Sequence, residues 1–150
     1  MISANRFTTS AQNVAQRAAE IMQCYNHHQI DTEHQLFALI EQPQGVISQL
    51  LEFLNVDGNA LSERLDNILR AGPKGDIVEV GAGQIPITPR VVAIIDLAVE
   101  EANRLKDELI STEHLFLAIL SERNTPSAKL LEEAGLTHDR VYAAIQQMRG

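Results

Sequence analysis

Apolar residues recur along this chain at the three- and four-residue spacing of amphipathic helices. Ala11, Val14, Ala18, Ile21, Met22 and Tyr25 follow a start at "FTTSAQ", where Thr8 is a good N-cap. A second helix follows Asp31, with Leu36, Phe37, Leu39 and Ile40 on its apolar face. A third carries Val46, Ile47, Leu50, Leu51 and Leu54, and a fourth begins near Asp57 with Leu61, Leu65 and Ile68 inward. The sequence then runs through four more such stripes. Ile94, Ile95, Ala98, Ala102 and Leu105 follow Thr88 and Pro89, a cap and a first helical position where a missing N–H costs nothing. Phe116, Leu117, Ile119 and Leu120 follow Ser111; Ala128, Leu130, Leu131 and Ala134 come next; Val141, Ile145 and Met148 follow Thr137. The pattern predicts an all-α protein of eight helices.

The second set of stripes is the first set displaced by 80 positions. "IDTEHQLFALI" returns as "ISTEHLFLAIL", so that Thr32, Glu33, His34 and Ala38 fall on Thr112, Glu113, His114 and Ala118. Thr8, Ala18, Glu20 and Ile30 fall on Thr88, Ala98, Glu100 and Ile110, and "LLE" at 50–52 falls on "LLE" at 130–132. A period this long marks a duplicated subdomain rather than a solenoid unit. We expect one domain over 1–150, made of tandem four-helix repeats at about 7–71 and 87–149 related by an approximate twofold. The intervening 72–86 holds Gly72, Gly75, Gly81 and Gly83 with Pro73 and Pro86, which stop helices. It is expected to be a connector, with "DIVEV" (76–80) extended.

Composition narrows the function. Apolar residues make up 45% and charged residues 21%, enough to fold; with aromatics at 4% and no Trp, the core must be Leu, Ile, Val and Ala. A net charge of −8 argues against a nucleic-acid partner and suits partners with basic or unfolded segments. Cys24 is the only cysteine, so no internal disulfide forms. The first residues lack a signal-peptide core and no apolar run is long enough to span a membrane. The expectation is a cytoplasmic monomer without membrane contact.

The repeated "TEH" has two readings. As structure, Glu33 and Glu113 sit in the first turn of a helix, where the dipole favours a carboxylate, and His34 and His114 are satisfied polar groups near the core. As function, four helix starts, at Thr8, Asp31, Thr88 and Ser111, would gather threonine hydroxyls and carboxylates able to hold a partner's backbone or basic side chains. Catalysis finds no support: "GPKGD" lacks the remainder of a phosphate loop, and no G-x-S-x-G is present. "CYNHH" places Cys24, His27 and His28 near Asp31 and His34, but the other repeat substitutes Arg104, Asp107, Glu108 and Ser111. No cofactor, metal or enzymatic activity is expected.

"RFTTSAQNVAQRAAE … IDTEHQLFALI" and "ITPRVVAIIDLAVEEANRLKDELISTEHLFLAIL" resemble the two Clp repeats at the N-terminus of Clp-family AAA+ unfoldases. "LLEEAGLTHDRVYAAIQQMRG" is similar to the end of that domain in ClpB-type disaggregases, with ClpC-type unfoldases next. The resemblance covers about residues 6–150. It implies a non-catalytic double four-helix domain that receives unfolded or aggregated proteins, or an adaptor, for an ATPase ring in the same parent chain. Residue by residue it implies peptide contacts at Thr8, Asp107 and Glu113. Glu33 and Glu113 resemble the positions with which ClpC-type domains receive phosphorylated arginine. Asp107 is thereby expected to matter for binding with little effect on stability. His27 stands where the second repeat has Asp107, so the two sites are not equivalent. The same residues fit a free-standing accessory protein of this fold that docks on a Clp ring; sequence beyond residue 150 discriminates.

Overall fold

The structure, a computed structural model, describes residues 4–72 and 85–150. The expected extended stretch at 76–80 lies outside them. A short turn of 3-10 helix (Ala4–Arg6) leads into α1 (Thr9–Cys24), α2 (Thr32–Glu41), α3 (Val46–Phe53) and α4 (Gly58–Ala71). Then come α5 (Pro89–Arg104), α6 (Thr112–Ser121), α7 (Pro126–Glu133) and α8 (His138–Met148). These are eight α-helices, with no strand among the described residues.

The caps explain where the helices begin. Thr8 Oγ1 accepts from the Ala11 amide at 3.1 Å, and Thr88 Oγ1 from the Val91 amide at 3.3 Å. Asp57 and Thr137 cap α4 and α8 in the same way. Thr125, unremarked in the sequence, caps α7 with Pro126 as its first residue. The starts of α2 and α6 are capping boxes of an uncommon kind, since the residue reaching back is a histidine rather than Glu or Gln. That meets the structural reading of "TEH": its histidine completes a cap.

The core is aliphatic apart from Phe116. α2 and α6 lie at its centre. α1 packs on α2 and α5 on α6, while α2 and α6 also touch one another, and α3, α7 and α8 bridge the two halves. For this reason α2 has no single apolar face. Thr32, Glu33, His34, Gln35, Leu36, Ala38, Leu39 and Ile40 are all buried, and only Phe37 and Glu41 are partly open. Three other stripes differ from expectation near helix ends, and in α3 the first residue, Val46, is 38% exposed. Leu69 rather than Ile68 is fully buried in α4, and Ala144 replaces Met148, which is left 36% exposed on the last turn of α8.

Candidate functional site

The segments leading into the helices clasp across the two halves. Phe7 pairs with Ile110: the Thr8 amide donates to the Ile110 carbonyl at 2.9 Å and the Ile110 amide to Arg6 at 2.7 Å. Ile30 pairs with Ile87: the Ile30 amide donates to Pro86 at 2.9 Å and the Thr88 amide to Ile30 at 3.0 Å. Adding 80 to 7 and 30 gives 87 and 110, so each clasp is the other with its halves exchanged. The four expected helix starts therefore meet in two junctions, Thr8 beside α6 and Thr88 beside α2.

At the α6 junction a left-handed turn sets the geometry. Lys106, at φ 61°, ends α5, and the Asp107 amide returns to Ala102 O at 2.8 Å. This six-residue closure is the Schellman arrangement, and it delivers Asp107 toward α6. The Ser111 amide donates to His114 Nδ1 at 2.8 Å, which leaves the ring proton on Nε2, and Nε2 donates to Asp107 Oδ2 at 2.8 Å. Arg149, at the end of α8, then lies across both acids. Its Nη2 is 2.6 Å from Glu113 Oε2 and 3.0 Å from Asp107 Oδ2, and Nη1 is 3.3 Å from Asp107 Oδ1. Partial burial pushes the Asp107 carboxyl up, but the bonds from Arg149 and His114 outweigh it and hold it below the usual carboxylate range. The Glu113 side chain is 14% exposed and that of Asp107 28%. Two of the expected residues are thus brought together, already bridged by a cation. Thr8 caps α1 alongside and has no hydrogen bond to either. Nothing in a lone arginine at the tail of an amphipathic helix signals its role.

The α2 junction is built on the same plan with different chemistry. Asn26, at φ 58°, ends α1, and the His27 amide returns to Met22 O at 3.0 Å. The Asp31 amide donates to His34 Nδ1 at 2.8 Å. His34 Nε2 then donates to His27 Nδ1 at 2.8 Å, and His27 Nε2 to the Leu69 carbonyl at 3.0 Å. Burial, followed by the neighbouring His27, lowers the His34 pKa to about 4. Asp31 caps α2 and accepts from Thr88 Oγ1 and Arg90 Nε, both at 3.1 Å, with a second short contact to Arg90 Nη2. Glu33 is only 7% exposed. The Thr32 hydroxyl donates to it at 3.0 Å and the Ser127 hydroxyl lies 3.4 Å away. Burial first, then the charge of Asp31, push the Glu33 carboxyl up. The carboxylates of the two "TEH" copies are accordingly unlike: Glu113 pairs with a cation and Glu33 is tucked under α7.

A cleft of about 210 Å³ opens at this junction, lined by His27, Asp31, Glu33, His34 and Arg90. The nitrogens of His27 and His34 are turned to each other and to backbone groups, and Cys24 is exposed apart from them. Among the described residues no three His, Cys, Asp or Glu side chains are placed to hold a metal ion.

Beside Phe7 lies an apolar groove of about 420 Å³, lined by Phe7, Ala11, Ala15, Gln35, Ile95 and Leu115, whereas Glu113 and Arg149 line a separate pocket with Val46, Gln49, Ile145 and Met148. The groove uses flanks of α1 and α5 and one turn each of α2 and α6. Of these groove residues the stripes include Ala11 and Ile95, and they do not indicate which positions remain uncovered. Among the described residues no helix is long and apolar enough to cross a membrane.

The sequence pattern of the Clp repeat (R) N-terminal domain matches residues 6–134. The chain is 30% identical over 146 residues to a chaperone protein ClpB from Bacillus anthracis, covering 97% of this chain and 17% of that one. It spans a similarly small part of the other curated relatives it matches. Its fold is that of the Hsp104 N-terminal domain from Candida albicans, with a TM-score of 0.77 at 19% identity, over 96% of this chain and 91% of the other. It is also that of a ClpV N-domain solved in complex with a VipB peptide, with a TM-score of 0.70 at 14% identity, over 91% and 82%.

Proposed function

The chain belongs to the Clp repeat N-terminal domain family, a non-catalytic domain of AAA+ ATPases, and we propose that it receives unfolded or aggregated polypeptide, or an adaptor, for a ClpB-like disaggregase. The observation that carries this reading is the apolar groove beside Phe7. It is open to solvent and lined mainly by aliphatic and aromatic carbon from α1, α5 and α6, with Gln12 and Gln35 as its polar members. Burial of a partner's apolar side chains there is favourable by roughly 25 cal/mol per Å² removed from water. The ClpV N-domain solved with a VipB peptide supports a peptide partner for this fold.

The acidic pair lies outside the groove's lining and assists from the α6 junction. Asp107 and Glu113 attract basic side chains flanking the apolar segment, and Thr8 offers a hydroxyl beside them. A partner guanidinium entering this pair exchanges with Arg149, so one ion pair replaces another and little net energy is gained. Affinity then comes from the groove, and the acids contribute orientation and encounter rate. Glu33 and Thr88, at the other junction, act through the geometry they give α2 and α5. In this reading the domain has repeats at 7–71 and 87–149.

Fluorescence anisotropy of a labelled, unfolded, leucine-rich peptide tests the proposal. Ala15→Gln places a larger polar side chain on the exposed edge of the groove without touching the core, and binding should fall at least tenfold. Equal affinity in the variant would show that the peptide binds elsewhere.

A further inference from the structure

Gln35 is 9% exposed, and among the described residues its Oε1 is the one buried side-chain oxygen or nitrogen without a hydrogen-bond partner. It lines the apolar groove. The residue 80 positions later is Leu115, which lines the same groove from α6. Helix packing therefore accepts a leucine at this register, and the amide is not required by the fold of α2. Its acceptor has been withdrawn from water with nothing supplied in return, which is an unfavourable state that a ligand can relieve.

We infer that Gln35 makes the groove a reader of unpaired peptide backbone, selective for extended apolar segments over helical ones. This rests on the proposed peptide-receiving role of the groove. The occupant must bring a hydrogen-bond donor flanked by apolar surface. A lysine or arginine donor does not suit, because no carboxylate lines the groove and a buried cation without a partner is costly. A peptide N–H between two aliphatic side chains does. In the free chain Oε1 is turned inward, and the soft terminal torsion of glutamine lets the amide turn as a ligand's N–H enters and water leaves the groove. The amide then presents both halves of a peptide-like pair, C=O for the ligand's N–H and NH₂ for its C=O. In an α-helix those N–H groups are already bonded within the helix beyond the first turn, so a folded amphipathic helix leaves Oε1 unsatisfied. An unfolded segment of the same composition does not. The groove thus discriminates chains by conformation as well as by hydrophobicity.

The test is an N-methyl scan. A fluorescein-labelled Leu/Ala peptide with lysine ends is made as a series, each member methylated at one backbone nitrogen. Anisotropy is measured with the 150-residue chain and with Gln35→Leu and Ala15→Gln. In the wild type one methylated position should weaken binding about tenfold, the worth of one hydrogen bond left unmade. In Gln35→Leu, which places at 35 the residue found at 115, the unmodified peptide should bind about tenfold more weakly, and methylation at that position should have no further effect. Urea melting of the variant confirms that it is folded. If the peptide binds and Ala15→Gln blocks it, but the scan is the same with Gln or Leu at 35, this inference is wrong and the peptide-receiving role stands. If Ala15→Gln binds normally, or nothing binds, both fall. A concentration-dependent dimer in sedimentation, lost in Ala15→Gln, would assign the groove to a second copy and overturn the inference.

Discussion

Asp107 holds the Nε2 proton of His114 at 2.8 Å, and 80 positions earlier His27 holds that of His34 at the same distance. The first acceptor is an anion and the second a neutral ring, on identical scaffolding of left-handed turn and histidine cap. Asp107 is thus a hydrogen-bond partner of a buried ring as well as a candidate binding residue, and we now expect its loss to cost stability, where the sequence alone suggested little effect. Asp107→Ala strands a donor on a ring that is 1% exposed and should cost about 1–3 kcal/mol in urea melts. Asp107→His, the solution used in the first half, should restore most of that stability while losing the negative charge. If alanine and histidine variants melt alike, the hydrogen bond to His114 contributes nothing.

The His34 network titrates in a definite direction. Its folded pKa, about 4, lies below the ordinary histidine value of 6.5, so folding favours the neutral ring. The stability this contributes is fully present above about pH 6.5 and is lost as pH falls toward 4; the full shift corresponds to roughly 3 kcal/mol. His34→Gln keeps a side chain able to close the capping box but removes the titrating group. Its urea midpoint should change less between pH 7 and pH 4.5 than that of the wild type. Parallel pH dependence in the two proteins would assign the acid sensitivity elsewhere.

The two motif glutamates should respond oppositely to loss of charge. Glu33 is buried with its carboxyl pushed up, so its ionised form opposes folding at pH values above its folded pKa. Glu33→Gln retains the bond from Thr32 and should leave stability at pH 7.5 unchanged or raise it by on the order of 1 kcal/mol. Glu113→Gln breaks a solvent-accessible ion pair to Arg149 and should lower it by no more than about 1 kcal/mol. Thermal melts of the two variants side by side check the contrast.

Arg149 is the internal competitor for the acidic pair. Arg149→Ala should cost under about 1 kcal/mol of stability, since the side chain is 38% exposed. It should also raise affinity for a peptide with an arginine beside its apolar segment, and leave affinity for an arginine-free peptide unchanged. Equal changes for both peptides, read by anisotropy at low salt, would remove the acidic pair from the binding surface.

Much of this architecture was legible because it depends on local rules. Thr8, Thr88, Asp31, Ser111 and Asp57 announce helix starts by their own chemistry, and the 80-residue register is arithmetic. What stayed hidden depends on contacts between distant segments. The burial of Glu33 is set by α7, where Ser127 lies 94 positions away, and Arg149 reaches Glu113 across 36. Ala11 and Ile95 read as ordinary stripe positions, and only the assembled helices place them along a groove. His34 was recognisable as a polar residue near the core, but its capping role was not, because the usual signature of that cap is Glu or Gln.

The reciprocal clasps, Phe7 with Ile110 and Ile30 with Ile87, have a consequence for ancestry. Two separate copies of one such half would hold each other by both clasps. Joining them in a single chain replaces a bimolecular encounter with an internal one. It also lifts a restriction. A symmetric pair must carry the same residue at both of its junctions. One fused chain is free to place an aspartate at one and a histidine at the other, and to keep an acidic pair at the first junction and an Arg90–Asp31 pair at the second.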